Sequence, residues 1–471
     1  MQEKYFVGIY CPPNPPTGEY SSHIDAHTFG LIAGVGVEHV FGYYEDEHGE
    51  QYVQAAFDGC AEHNLWFYPR LKIFDRFLGV EGGKGERDND LPYLKMSEAE
   101  KTEIGEKLCA ELSKWKAHKA FGGVFFSDEQ SYETYDGMGA ASKIFAELCP
   151  NKEFHYNNLN YFPDDKIMFY RNGKYEGREL PLTGKLAFCS ENRFNRFKVY
   201  LDGYLNKCIT NYLSCDLYPF APIWKEVPTS IHRGLYETNS VFASYKKERG
   251  VKTLIYIQAG DWDCTFREIG APEMALHLNV TAAYGLDGFV FFPGCFPRDW
   301  VVDPVFGKAK DGRTGLLDMD GKPTPHYGEA KRLIAHLQAC APVLLNAKWL
   351  GVCTVGEFEG GFNGVDLSVL PDNECIYRGG LTEMEFHEYK GILPEIETAS
   401  QLFIGIFEGK EEQKHYLIVN NSIVQKTSFT LKAKDWTAIV DGKKLEGQGD
   451  FTISELAAGE CVLLNLSGYV K

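Results

Sequence analysis

The chain has 471 residues, enough for one large domain and a smaller one. Its 44% hydrophobic and 24% charged content is that of an ordinary globular protein, which excludes a disordered or low-complexity chain. A net charge of -18, from 48 basic against 66 acidic side chains, repels polyanions; it excludes nucleic acid and anionic membranes as partners and favours a neutral or cationic ligand.

The first apolar run, Tyr5-Phe6-Val7-Gly8-Ile9-Tyr10, reads as a strand closed by Cys11-Pro12-Pro13. A helix is expected near 23–35, a second strand over 38–43, a helix near 52–62 and a third strand over 65–68. A polar, Gly-rich loop covers 72–96, and Ser97 with Glu100 three residues on forms a capping box that opens a helix to about residue 118. Strand four is Gly122-Gly123-Val124-Phe125-Phe126-Ser127, which runs straight into Asp128 and Glu129. Strands five to eight fall at 153–158, 210–216, 253–258 and 288–292. Gly250 stops the helix of 231–249, and Pro272 starts the next at a first-turn position. Ala330, Leu333, Ile334, Leu337, Ala341 and Leu344 make one apolar face of the last helix. This rhythm predicts an α/β fold, a (β/α)8 TIM barrel over residues 1–345.

The pattern then changes. Short apolar runs at 402–407, 416–419, 428–431 and 461–464 are separated by turn residues, and Asp441-Gly442 is a hairpin signal. They predict a C-terminal antiparallel β-sandwich domain over 346–471, covering the barrel flank or stabilising an assembly. The 13 cysteines are odd in number, scattered and free of any Cys-x-x-Cys, so we read them as reduced core thiols of a cytoplasmic protein. Met1-Gln2-Glu3-Lys4-Tyr5 leads directly into a strand without the features of an export signal, and no apolar run reaches the roughly 18 residues of a membrane span. No Walker A loop, dinucleotide glycine motif or Gly-x-Ser-x-Gly is present, which removes nucleotide and serine-hydrolase chemistry. His23 and His27 have a zinc-binding spacing, but nothing nearby completes a site, so neither metal nor cofactor is expected.

Barrel enzymes carry their chemistry at the C-terminal ends of strands. Glycosidic cleavage needs a proton donor for the leaving oxygen and a second carboxylate across the sugar. Glu129 is the expected donor, its carboxyl raised by the like charge of Asp128. Neighbours on a strand point to opposite faces, so only one of Asp128 and Glu129 is expected to enter the site. Asp216, set in apolar Ser214-Cys215-Asp216-Leu217-Tyr218-Pro219-Phe220, is the second carboxylate; Asp261, with Asp263, competes from the end of strand seven. Asn157, Asn158 and Asn160 suit hydroxyl recognition. Tyr10, Tyr43, Arg70 and Gln258 end other strands, and Tyr218 and Trp262 stand beside the acids, all as pocket-lining candidates. Each has a plain alternative as helix cap, loop former or core residue. Aromatics reach 14%, and Tyr170, Tyr175, Trp224 and Trp300 in the long loops are available to stack on a sugar ring.

Several segments together carry a resemblance. They are Gly123-Val124-Phe125-Phe126-Ser127-Asp128-Glu129-Gln130, Asn157-Asn158-Leu159-Asn160-Tyr161-Phe162-Pro163, Leu213 to Phe220, Thr281-Ala282-Ala283-Tyr284-Gly285-Leu286-Asp287-Gly288, and Pro323-Thr324-Pro325-His326-Tyr327. The chain resembles the glycoside hydrolase family 42-like (β-galactosidase-like) barrel proteins abundant in gut bacteria. The resemblance implies a TIM barrel with a following β domain, a carbohydrate substrate, hydrolysis through carboxyl groups without metal, and the acid role on Glu129. Relatives of the broader clan carry Asn-Glu at strand four and a nucleophilic Glu at strand seven; here those places hold Asp128-Glu129 and Gln258, which leaves Asp216 or Asp261 as base or nucleophile. Carboxyl groups about 5 Å apart would mean retention and roughly 6.5–9.5 Å inversion, and the missing strand-seven Glu leans toward inversion. The same departure supports an alternative, a catalytically silent carbohydrate-binding barrel protein. A homo-oligomer is compatible with the architecture.

Overall fold

The computed structural model describes residues 3–16, 21–42, 49–78, 92–160, 193–220, 231–260, 268–298, 300, 314–358, 377, 379, 381 and 392–467. Strands and helices alternate along the first three quarters of the chain. They are β1 (Phe6–Tyr10), α1 (Ala26–Gly34), β2 (His39–Gly42), α2 (Glu50–Glu62), β3 (Trp66–Pro69), α3 (Ile73–Leu78), α4 (Pro92–Lys95), α5 (Glu98–Trp115) and β4 (Gly123–Asp128). They continue as α6 (Tyr135–Leu148), β5 (Glu153–Asn158), α7 (Arg193–Lys207), β6 (Tyr212–Leu217), α8 (Gly234–Arg249), β7 (Lys252–Gln258), α9 (Ala271–Ala283), β8 (Gly288–Phe292) and α10 (Pro325–Leu344). The eight strands make one sheet in the order β3-β2-β1-β8-β7-β6-β5-β4. Their described pairings are parallel, and a bridge between Phe67 and Phe121 joins the two ends of the sheet order. The result is a nearly closed (β/α)8 barrel, the predicted fold class.

Local signals explain most element ends. The Ser97 hydroxyl accepts the Glu100 N–H at 3.3 Å, and the Glu100 carboxylate takes the Ser97 N–H at 2.8 Å, so the capping box opens α5 as expected. Gly250 stops α8 with φ 67°, a left-handed value that costs glycine nothing. At the other end of the barrel sequence, α1 starts later than expected. The Asp25 carboxylate accepts the Thr28 N–H at 2.8 Å and caps that helix, so His23 precedes it and does not share a helical face with His27.

The chain divides into two compact units: Tyr10–Ala33 with Val37–Asp216, and Met1–Ile9 with Gly34–Gly36 and Leu217–Lys471. In the first, the strands are buried on both faces, with Val124, Phe125 and Phe126 of β4 all fully covered. Gly123 opens β4 where a Cβ would stand 1.9 Å from the Glu153 carbonyl oxygen, so only glycine lets β4 and β5 close on each other.

The second unit carries the C-terminal sheets. They contain β9 (Lys348–Val355), β10 (Ile396–Thr398), β11 (Leu402–Glu408), β12 (Lys414–Asn420), β13 (Thr427–Leu431), β14 (Asp435–Val440), β15 (Lys443–Gln448), β16 (Phe451–Leu456) and β17 (Cys461–Ser467). A six-stranded sheet, β15-β14-β17-β12-β11-β9, and a three-stranded one, β10-β13-β16, share a core of Ile404, Ile406, Ile418, Leu431, Phe451, Val462 and Leu464, among others. The antiparallel sandwich is therefore as expected. Asp441 and Gly442 turn the β14–β15 hairpin with φ 47° and 72°, the paired positive values their sequence signalled. The sandwich rests on barrel helices of its own unit. Trp349 Nε1 donates to the Ala283 carbonyl at 3.0 Å, Asn279 Nδ2 to that of Gly459 at 2.8 Å, and Tyr236 hydroxyl to Asn421 at 2.7 Å. The ten described cysteines are free, and eight of them are buried. No described helix is long and apolar enough to cross a membrane.

Candidate active site

The site begins with an irregularity in β4. Its register with β5 runs from Gly123 opposite Glu153 to Phe125 opposite His155, then resumes at Asp128 opposite Asn157. One extra residue is accommodated on β4, a bulge that re-aims the side chains after it. Glu129 follows with φ 48°, a left-handed conformation that costs a residue with a side chain about 1–3 kcal/mol. Its N–H donates to the Asn157 carbonyl at 2.9 Å. Bulge and turn together cancel the simple alternation expected of a strand. Both Asp128 and Glu129 act on one group, Asp216, rather than facing opposite ways.

Asn157 organises the cluster. It is fully buried at the end of β5, and its Nδ2 donates to Asp128 Oδ1 at 2.8 Å and to Asp216 Oδ1 at 2.7 Å. Both amide protons are thereby used, while its Oδ1 takes the Ser214 hydroxyl at 3.4 Å. Asp216 is 8% exposed and within hydrogen-bonding reach of Glu129. Burial holds its carboxyl well above the ordinary carboxylate range; the charges of Asp128 and Glu129 and the Glu129 hydrogen bond push the same way, and the Asn157 amide opposes them. Desolvation is the largest cause because β6 seats the Asp216 side chain deep in the cluster.

The other expected residues are placed as follows. Asn158 turns away from the carboxyl cluster and donates to the Ser214 carbonyl at 2.9 Å, tying β5 to β6. Tyr10 is 5% exposed and packs its ring on Phe125 at 5.1 Å. Arg70 forms an ion pair with Asp75. Gln258 is buried at the end of β7, where its Nε2 donates to the Gly260 carbonyl at 3.2 Å. Tyr218 stacks on Phe292 at 5.5 Å, and Phe292 meets Trp300 edge-on at 5.8 Å, which forms an aromatic cluster within the second unit. Tyr43, Asp261 and Trp262 lie outside the described residues, as do Asp263, Tyr170, Tyr175 and Trp224. Among the described residues no group of three His, Cys, Asp or Glu side chains is disposed to hold a metal ion.

Sequence reasoning missed Gln130, Tyr156 and Tyr200, which surround the Glu129 turn. Tyr156 sits inside a strand, and Tyr200 lies on the apolar face of α7 beside Phe197, Leu201 and Tyr204. Both read as ordinary core aromatics, and no local signal separates them from one.

Fold and site together define a (β/α)8 barrel in which a strand-five amide bridges Asp128 and Asp216, with Glu129 against Asp216, an arrangement suited to acid–base chemistry. No family model and no curated protein matches the chain. Solved structures with a similar fold include a β-galactosidase from the psychrophilic Marinomonas ef1, 10% identical at a TM-score of 0.47, over 73% of this chain and 62% of that one. An exo-β-1,4-mannosidase from an Opitutaceae bacterium is 15% identical at 0.44, over 72% and 60%. A GH30 endoxylanase from Clostridium papyrosolvens is 9% identical at 0.43, over 99% and 98%. This chain thus spans less than two thirds of the first two proteins. Likenesses at this level carry no argument about activity; the barrel rests on its own strand pairing.

Proposed function

We propose that this protein is a glycoside hydrolase that cleaves an O-glycosidic bond of a carbohydrate through the carboxyl pair Glu129 and Asp216. The observation that carries the reading is their contact: two strand-end carboxyls in hydrogen-bonding reach, one of them buried and raised, with Asn157 bridging Asp216 to Asp128. A raised carboxyl hydrogen-bonded to a second carboxyl can share one proton with it, the combination glycosidic cleavage requires: one neutral acid beside one ionised carboxylate. The raised carboxyl, Asp216, is the one that favours the shared proton. Its passage across the hydrogen bond to Glu129 would arm Glu129 to protonate the leaving oxygen, and would leave Asp216 ionised as nucleophile or base.

On this reading residues 1–345 are the catalytic barrel and 346–471 an accessory sandwich, and the chemistry needs neither metal nor cofactor. The resemblance to the family 42-like group and the cysteines, all free among those described, support a cytoplasmic carbohydrate enzyme of that kind. The test is hydrolysis of α- and β-linked aryl glycosides with good and poor leaving groups by wild type, Glu129→Gln and Asp216→Asn. Loss of the acid should cost about 10²–10⁴-fold on poor leaving groups and far less on good ones. Loss of Asp216 should depress both. Unchanged rates in both variants would refute the assignment. Sugar binding by calorimetry without turnover of aryl glycosides or oligosaccharides would instead establish the catalytically silent barrel.

A further inference from the structure

The left-handed turn at Glu129 is followed by a residue whose backbone is held in an unusual way. The Gln130 N–H donates to the Tyr156 hydroxyl at 2.7 Å, the Tyr156 and Tyr200 hydroxyls meet at 2.9 Å, and the Tyr200 hydroxyl donates to the Gln130 carbonyl at 2.6 Å. Donors and acceptors balance when the protons run one way: Gln130 N–H to Tyr156, Tyr156 to Tyr200, Tyr200 to Gln130 C=O. Both backbone polar groups of one residue, Gln130, which belong to the two successive peptides flanking its Cα, are thus closed into a ring through two phenols. The Tyr156 hydroxyl also reaches the Gln130 carbonyl at 2.8 Å, and the Leu159 N–H donates to Tyr200 at 3.2 Å, which anchors the ring to the end of β5. From the other side the Gln130 side chain donates to the Ser127 hydroxyl at 2.8 Å and to the Asp128 carbonyl at 2.6 Å.

Burial makes the ring specific. Tyr156 and Tyr200 are 1% and 0% exposed, packed with Tyr135 and Tyr204 at centroid distances of 5.1–6.1 Å. Phenylalanine would fill an aromatic cluster equally well, and a buried phenol is costly unless its hydroxyl is bonded. Here both hydroxyls bond the backbone of Gln130, the residue immediately after Glu129. The two residues come from different elements, β5 and α7, so they fix the Gln130 backbone against the sheet and the helix layer at once.

We propose that the ring of Gln130, Tyr156 and Tyr200 is a positioning device that keeps Glu129 in its left-handed conformation and so holds its carboxyl against Asp216. The inference rests on the reading of Glu129 and Asp216 as a proton-sharing pair. Tyr156 and Tyr200 act through Glu129 and are positioning residues.

The experiment compares Tyr200→Phe and Tyr156→Phe with Tyr204→Phe, which removes a hydroxyl from the same aromatic cluster but not from the ring. The first readout needs no substrate. The protonated-carboxyl band of Asp216 in the infrared spectrum, assigned by its loss in Asp216→Asn, is followed against pH. Opening the ring should move its titration toward lower pH, because Glu129 no longer stands against it, and Tyr204→Phe should leave it in place. The second readout is turnover: kcat should fall about 10–100-fold in the ring variants with KM changed less than about threefold. Ring variants that fold, yet keep both the wild-type titration and kcat, overturn the proposal, as does an equal shift in Tyr204→Phe. If Tyr200→Phe does not fold, Tyr156→Phe decides, since it opens the ring while keeping the Tyr200 bond. A wild type silent on every glycoside defeats the proposed function, whereas the infrared titration still judges the ring.

Discussion

Replacing Asp216 by Asn should remove activity and at the same time stabilise the protein at neutral pH. The side chain keeps its size, its oxygen still accepts from Asn157 Nδ2, and its new amide can donate to Glu129. What is lost is a carboxyl that must either hold a proton or place a charge beside two others. Burial, then the charges of Asp128 and Glu129, raise this carboxyl above the ordinary value of 3.8. In the unfolded chain it titrates at that ordinary value. Between the two values the folded state binds the extra proton, so the contribution to stability is fully present below the unfolded value and is lost as pH rises toward the folded one. Each unit of upward shift is worth about 1.36 kcal/mol. We therefore expect Asp216→Asn to be more stable than wild type at pH 7, with the gap closing toward pH 4. Urea titrations of both proteins from pH 4 to 8, followed by far-ultraviolet circular dichroism, measure this directly. A gap that does not change with pH, or a variant less stable than wild type at pH 7, would refute the reasoning.

Other expectations are as direct. Gly123→Ala would drive a methyl group into the Glu153 carbonyl, 1.9 Å away, and should cost more than about 2 kcal/mol; an unchanged urea midpoint would show that β4 moves aside freely. His155 is stacked on Phe41 at 4.3 Å, and burial lowers its pKa to about 3. The unfolded imidazole binds a proton from the ordinary 6.5 downward while the folded one does not, so its contribution to stability falls as pH drops from 6.5 toward 3. Relative to His155→Gln, wild type should lose stability over that window by up to about 1.36 kcal/mol per pH unit, and parallel curves would contradict this. Ser97→Ala removes the capping box of α5 and should cost about 1 kcal/mol in the same urea assay. Ile418→Ala, in the fully buried core of the sandwich, should cost about 2–5 kcal/mol, and a loss below 1 kcal/mol would show that the sheets collapse onto the cavity.

What the sequence determined by itself is local and periodic. Apolar runs such as Gly288-Phe289-Val290-Phe291-Phe292, the capping box at Ser97, the stop at Gly250 and the turn at Asp441-Gly442 each depend on neighbours within a few residues, and each is where it was expected. The hairpin turn at Asp441-Gly442 was legible but the run of β15 was not, because Lys443, Lys444, Leu445 and Glu446 are exposed and leave little apolar pattern to read. The acidic ends of β4 and β6 were visible as well, since carboxylates after buried strands are conspicuous. Their relation was not. Whether Asp128 and Glu129 diverge or converge depends on one extra residue in the pairing of β4 with β5 and on a single left-handed φ, neither of which has a signature in Phe126-Ser127-Asp128-Glu129. That Asn157 bridges Asp128 and Asp216, and that two phenols 44 residues apart hold the backbone of Gln130, are long-range facts. That the Asp216 carboxyl is raised follows from desolvation, a property of everything packed around a group, and so only the tertiary structure decided it.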